Sequence, residues 1–229
     1  MNTYFFDPLE KLKQHQPSCE FFVILGNDDP RTYEQLLQHA QEKGLLHYVH
    51  NRCVSFGSNY VIGYSCVPPT PFQLKDWERY DVSRYVDPGS ISPEEGIRSV
   101  PMDAHEIREH TIAKDLKKLV TLSPVEQTIY LFHTPPYNTK LDRAALDGKT
   151  MDHAPLDVHV GSIAVQRFIK KHQPLLTLHG HIHETVRLTK TWKETMGETV
   201  MMSAAHDGEE LAVVEFDTTS LQTATRVLL

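Results

Sequence analysis

A layered α/β fold is what this sequence predicts, and three observations predict it. Short apolar runs recur along the chain, stretches with helical apolar spacing lie between them, and no repeat or linker divides the 229 residues. Strands alternating with helices form layers around one core. The whole chain, 1–229, therefore reads as a single domain, long enough to bury a sizeable interior.

The elements follow in order. Phe21 to Leu25, Tyr60 to Tyr64, Thr128 to Phe132, Leu175 to Leu178 and Leu211 to Phe216 are short, largely apolar runs of strand length and read as buried strands. Tyr33 to Lys43 places Leu36, Leu37 and Ala40 on one helical face. Ala104 to Val120 does the same with Ile107, Ile112, Leu116, Leu119 and Val120, so one long helix is expected there. Ile163, Val165, Phe168 and Ile169 form a third apolar face behind Gly161-Ser162, where Ser162 can cap the helix. Near the end, Val200 to Ser203 and Leu211 to Phe216 flank the turn signal Asp207-Gly208 and predict an antiparallel hairpin. Pro68 to Pro101 and Pro135 to Val160 lack periodicity and read as two long loops.

Composition narrows the function. Net charge is −7, from 23 basic and 30 acidic residues, with no long run of one sign. That disfavours an extended nucleic-acid surface, and a phosphate ligand would need a local positive source such as a cation. Cys19, Cys53 and Cys66 form no Cys-x-x-Cys pair, which argues against a thiolate zinc site or a disulfide framework and fits a reducing, cytoplasmic setting. No apolar run approaches the ~18 residues that span a bilayer, and Met1 to Lys13 lacks the layout of a signal peptide.

Three of the apolar runs end alike. The first enters Gly26-Asn27-Asp28-Asp29, the third His133-Thr134-Pro135-Pro136, and the fourth His179-Gly180-His181-Ile182-His183. Ligands of open α/β sheets collect at the carboxyl ends of strands, so Asn27, His133, His181 and His183 are expected at one crevice. Imidazoles with an amide oxygen suit Mn²⁺, Fe²⁺ or Zn²⁺. Taken singly, each residue has a plain structural alternative, a turn asparagine or an exposed histidine. Their convergence is the signal.

Gly26-Asn27-Asp28-Asp29 is similar to the Gly-Asn-His-Asp/Glu block of calcineurin-like metallophosphoesterases, and Gly180-His181-Ile182-His183 matches that family's closing Gly-His-x-His block. His133 resembles its isolated histidine, and the likeness runs from about Phe21 to Phe216. The resemblance implies an α/β/β/α sandwich, two divalent metal ions, and hydrolysis of phosphomonoesters or phosphodiesters. It assigns Asn27, His133 and His181 to one metal and His183 to the other. Asp28 occupies the position of the family's catalytic histidine, with proton donation and loop organisation both open. Asp29 fills the family's acidic position, or a plain turn.

The family's Asp-x-His and Gly-Asp blocks have no counterpart before Asn27, where Asp7 and His15 lack the setting. The expectation is a sandwich missing its first strands, one weakly held metal in place of two, and either Met1 as an internal start or the chain as a fragment or truncated gene product. A different start topology or a partner chain, a homo-oligomer included, is the alternative. Two readings of function stay open: a hydrolase of small phosphoesters or nucleotides, and a non-catalytic remnant acting as a binding or interaction protein. A metallo-β-lactamase-like site fails because Glu184-Thr185-Val186 follows His183 where Asp-His is needed. His159, before the expected helix start, is a candidate phosphate contact. Asp142, Arg143 and His153 are loop candidates, His179 and His206 read as structural, and Trp77 with the Pro68–Phe72 stretch either shapes specificity or packs over the sheet.

Overall fold

The computed structural model describes residues 3–229, with side chains from Phe6 onward; Met1, and with it the start expected above, lies outside the described residues. In chain order the elements are helix α1 (Thr3–His15), strand β1 (Phe22–Val23), α2 (Glu34–Glu42), β2 (His47–Tyr48), β3 (Cys53–Phe56), β4 (Asn59–Tyr64), α3 (Ala104–Glu109) and α4 (Ile112–Leu119). There follow β5 (Thr128–Phe132), β6 (Thr150–Met151), β7 (Ala154–Pro155), α5 (Ile163–His172), β8 (Leu176–His179) and α6 (Thr185–Thr189). β9 (Lys193–Met196), β10 (Thr199–Ser203), β11 (Ala212–Glu215) and β12 (Thr225–Leu228) complete the chain.

Six strands make the central sheet in the order β3-β4-β5-β8-β10-β9. β4, β5, β8 and β10 run parallel, so their carboxyl ends share one edge, while β3 and β9 are antiparallel flanks. The fold is thus mixed α/β, as its alternating pattern predicts. β1 and β2 form a separate parallel pair, joined to the sheet where His50 bridges Gly63 in parallel. β1 therefore points the same way as β4, and the loop after it opens at the shared edge. Gly63 permits this junction: a Cβ there would lie 2.4 Å from Ile24 Cγ2 and 2.7 Å from Val49 Cγ2.

Alternation along the strands divides the interior in two. Ile62, Tyr64, Tyr130, Phe132 and Met201 face α4 and α5 through Ile112, Leu116, Val165, Phe168 and Ile169. Ile129, Leu176, Val200 and Met202 face the other way, against Leu221, Ala224, Val214 and Trp192. Period-two burial on both faces is why these strands read as largely apolar runs.

Two expectations are corrected. The helix expected over Ala104 to Val120 is two helices, broken at His110, whose ψ is 129°. Thr111 bridges Tyr80 and caps α4 by accepting from Lys114 N, so a tertiary contact overrides a helical pattern. The expected terminal hairpin does not form. β10 pairs with β9 and β8, through a turn at Gly197 with φ +63°, and β11 pairs with β12 in a sheet of its own. Gly197-Glu198 makes that turn, and Asp207-Gly208 lies within the loop between the two sheets.

The two long loops are present and ordered by buried polar groups. Between β4 and α3, Glu78 accepts from Lys75 Nζ, Thr70 N and Thr70 Oγ1, with Lys75 and Glu78 both wholly buried. In the second loop, the buried Asp142 carboxylate accepts from Asn138 N, Thr139 N, Gly161 N and His159 Nδ1.

Candidate metal centre

Three strand ends deliver the site. Asn27 follows β1, His133 follows β5 directly, and His181 lies two residues past β8. Asn27 Oδ1 accepts from His133 Nε2 at 2.8 Å and from His181 Nδ1 at 2.8 Å. An amide oxygen has lone pairs and no proton, so both ring nitrogens must donate. The amide orientation is set on its other side, where Nδ2 donates to Asp28 Oδ1 at 3.1 Å. Asn27 and the rings of His133 and His181, with centroids 5.2 Å apart, therefore meet at one point although 154 residues separate Asn27 from His181.

Local backbone makes the approach possible. A Cβ at Gly26 would stand 2.6 Å from His133 Cε1 and 2.7 Å from Nε2, so only glycine lets that ring lie against the turn. His181 holds φ +68°, a conformation rarely adopted by L side chains and costing on the order of 1–3 kcal/mol, the kind of strain that collects at functional sites. The turn itself closes through Asp29 N to Gly26 O at 3.1 Å and Gly26 N to Asp29 Oδ2 at 2.8 Å. Asp29 therefore does turn work.

Burial sets the protonation. It pushes the His133 imidazole down to about 4, against a raising influence from Asp28 and a lowering one from His183. It pushes His181 down to about 3, helped by His133 and His183. Both rings are neutral at physiological pH, the form that ligates metals. Ligands about 2.1 Å from a shared ion sit roughly 3 Å apart, close to the 2.8 Å separations here. Moving each ring proton to its opposite nitrogen leaves one oxygen and two nitrogen lone pairs converging. Those donors fit one borderline cation.

For two ions these donors supply no bridging anion. Cations about 3.5–4 Å apart repel and call for bridging anions. Among the described residues no group of three His, Cys, Asp or Glu is placed to hold an ion, and the converging set is two imidazoles and an amide. Asp28 and His183 are exposed neighbours of the triad, felt by its rings through their charge.

The remaining candidates lie in other surroundings. His159 gives Nδ1–H to Asp142 and packs edge-on against Tyr137, whose hydroxyl donates to Asp157. Arg143 pairs with Asp147, and His153 is exposed in the two-residue turn from β6 to β7, where it and Asp152 both have positive φ. His179 is buried between Thr134 O and Thr177 Oγ1, and His206 meets Glu210. A ring of loop contacts ties this edge together: Ala145 N to Glu184 Oε1, Arg143 N to Thr185 Oγ1, and Ser162 N to Pro135 O.

Sequence reasoning missed Asp76 and Asp81. Asp76 accepts from Arg31 N, and Asp81 accepts from Ile163 N and Ala164 N and from the Ser162 hydroxyl at the start of α5. Their partners lie 45 and 81–83 residues away in sequence, so no local pattern marks them.

No family model matches the chain, and no curated protein matches it. No helix among the described residues is long and apolar enough to cross a membrane. Among solved structures, one crystal structure superposes with a TM-score of 0.57, aligning 99% of this chain and 73% of its own at 19% sequence identity. At that identity the likeness is one of fold.

Proposed function

We propose that this chain binds one divalent cation, Mn²⁺, Fe²⁺ or Zn²⁺, through Asn27, His133 and His181, and hydrolyses phosphoester bonds beside it. The observation that carries this is the pair of 2.8 Å approaches to Asn27 Oδ1. A bound cation there would polarise a phosphoryl oxygen and offset the repulsion between an anionic substrate and a chain of net charge −7. The chain's own residues do the rest. Asn27 and the two neutral imidazoles contribute no anion, so the charge of the cation stays available to substrate. Asp28, exposed and held by Asn27 Nδ2, would take up or pass a proton at the mouth. His183, exposed on the same loop as His181, would meet a phosphate oxygen. His159, bonded to Asp142, is the next candidate contact.

The substrate class is a small phosphomonoester, phosphodiester or nucleotide. This reading implies the sandwich architecture of calcineurin-like phosphoesterases, and what supports it is a main sheet packed on one face by α4 and α5 and on the other by the β11–β12 pair. So does residence in a reducing cytoplasm, which suits three free cysteines. One observation favours the second reading, a non-catalytic binding protein: the converging ligands include no carboxylate.

Hydrolysis of bis-p-nitrophenyl phosphate with added Mn²⁺ separates the two. The hydrolase reading expects a rate well above Mn²⁺ in buffer, lost in His181→Ala. A wild-type rate equal to buffer, with Mn²⁺ bound, leaves the binding protein. No Mn²⁺ or Zn²⁺ binding at all would remove the hydrolase reading and the metal centre with it.

A further inference from the structure

We infer that Asp76 and Trp77, on the long loop between β4 and α3, are positioning residues for the cation site, acting on Asn27 through the turn that carries it. This rests on the proposed metal centre and extends it to a segment with no contact to either histidine. Asn27 is the triad member that two rings share, and its side chain hangs from the turn Gly26–Asp29. That turn is followed at once by Pro30 and Arg31, and its C-terminal exit is fastened from outside at two points. Trp77, 1% exposed, donates Nε1–H to Asp29 O at 2.9 Å. Asp76, 3% exposed, accepts from Arg31 N through Oδ2 at 2.8 Å.

The clamp is itself braced. Asp76 also accepts from Ser99 N at 2.9 Å and from the Ser99 hydroxyl at 2.6 Å. The Arg31 guanidinium lies 5.3 Å over the Trp77 ring, and His50 meets that ring edge-on at 4.9 Å. One residue on, Glu78 is locked to Lys75 and Thr70 in the buried network. An indole N–H thus ends on the last carbonyl of the ligand turn, and a buried carboxylate on the backbone N–H two residues beyond it. Charge-assisted bonds to backbone N–H are among the stronger hydrogen bonds, and the partners that orient metal ligands typically contribute a factor of 10–100 in affinity. The long loop's part in this site is to hold the oxygen ligand where two imidazoles already point.

Asp76→Asn and Trp77→Phe test this: the first keeps volume and removes the charge and one of the two acceptor oxygens, and the second keeps an aromatic ring and removes the indole N–H. Co²⁺ is titrated into the intact chain, read by its visible absorption bands, with Val200→Ala in the opposite core as a control for lost stability. Asp76→Asn is expected to weaken Co²⁺ binding by roughly tenfold to a hundredfold and to alter the bands. Val200→Ala, at a comparable loss of thermal stability, keeps both affinity and spectrum. Trp77→Phe shifts in the same direction as Asp76→Asn. Wild-type affinity and bands in both clamp variants would overturn the inference while leaving the metal centre intact. Absence of Co²⁺ binding by the wild type would remove the metal centre and this inference together.

Discussion

At the scale of single residues, Asn27 decides the chemistry because its oxygen is the point two histidines share. The nearest test of that geometry is Gly26. Its missing Cβ leaves the space that His133 occupies, and Gly26→Ala would place a methyl 2.6 Å from the ring. The ring must then move, because backbone sets where the methyl goes. Gly26→Ala is expected to weaken Mn²⁺ binding by about tenfold or more while leaving the circular dichroism spectrum unchanged; an isothermal titration checks it. Protonation offers a second test. His50, His133, His179 and His181 are all pushed down by burial, to about 3 or 4. Below their ordinary value near 6.5 the unfolded chain binds protons that the folded chain refuses, so stability is full above that pH and falls as pH drops toward 4. Each such histidine is expected to cost about 2 kcal/mol by pH 5. Thermal midpoints measured from pH 7.5 to 5 should fall steeply, and a flat profile would show that these rings titrate normally.

At the scale of elements, the polar caps join segments that the sequence keeps apart. Ser162 caps α5 as its position predicts, accepting from Val165 N at 3.0 Å, and Asp81 adds a second acceptor from a distant loop. Burial raises the Asp81 carboxyl, while its bonds to Ser162, Ala164 and Ile163 lower it. Asp81→Ala strips both the cap and the loop attachment, an expected loss of about 2 kcal/mol. For a chain of this length that is a fall of roughly 4–8 °C in Tm, and calorimetry reads it directly. The elements also show what was legible beforehand. Thr128 to Phe132 is a strand over the residues its apolar run marks, and Ser162 caps where a serine before an apolar face should. The Ala104 to Val120 pattern was helical, yet Thr111 pairs with Tyr80 instead of continuing it. The hairpin failed for a similar reason: Val200 to Ser203 is buried on both faces and finds its partners in β8 and β9. Local pattern gives the type of an element, and long-range pairing gives its ends and neighbours.

At the scale of the whole molecule, one sheet edge collects what three distant segments supply. Parallel strands made that legible, because strand ends in a parallel sheet fall together without any knowledge of register. The depth of support was not legible. Asp76, Asp81 and Asp142 are aspartates in aperiodic loops, and only folding shows that they are buried and bonded to backbone. Gly63, where β2 crosses to the sheet, carries the join between the first strand pair and the rest. Gly63→Ala would force a methyl to within 2.4 Å of Ile24 and 2.7 Å of Val49, an overpacking cost of about 1–3 kcal/mol, and urea unfolding should register it. Because Ile24 leads into the ligand turn, that variant should loosen the cation site as well. The claim on which the account rests is that a single ion sits among Asn27, His133 and His181, and diffraction tests it most directly. In a crystal soaked in Mn²⁺ and measured near the manganese absorption edge, the anomalous map should hold one strong peak about 2.1–2.3 Å from Asn27 Oδ1, His133 Nε2 and His181 Nδ1. A map with no peak there, or with the ion bound elsewhere while the two imidazoles still donate to Asn27, would contradict it.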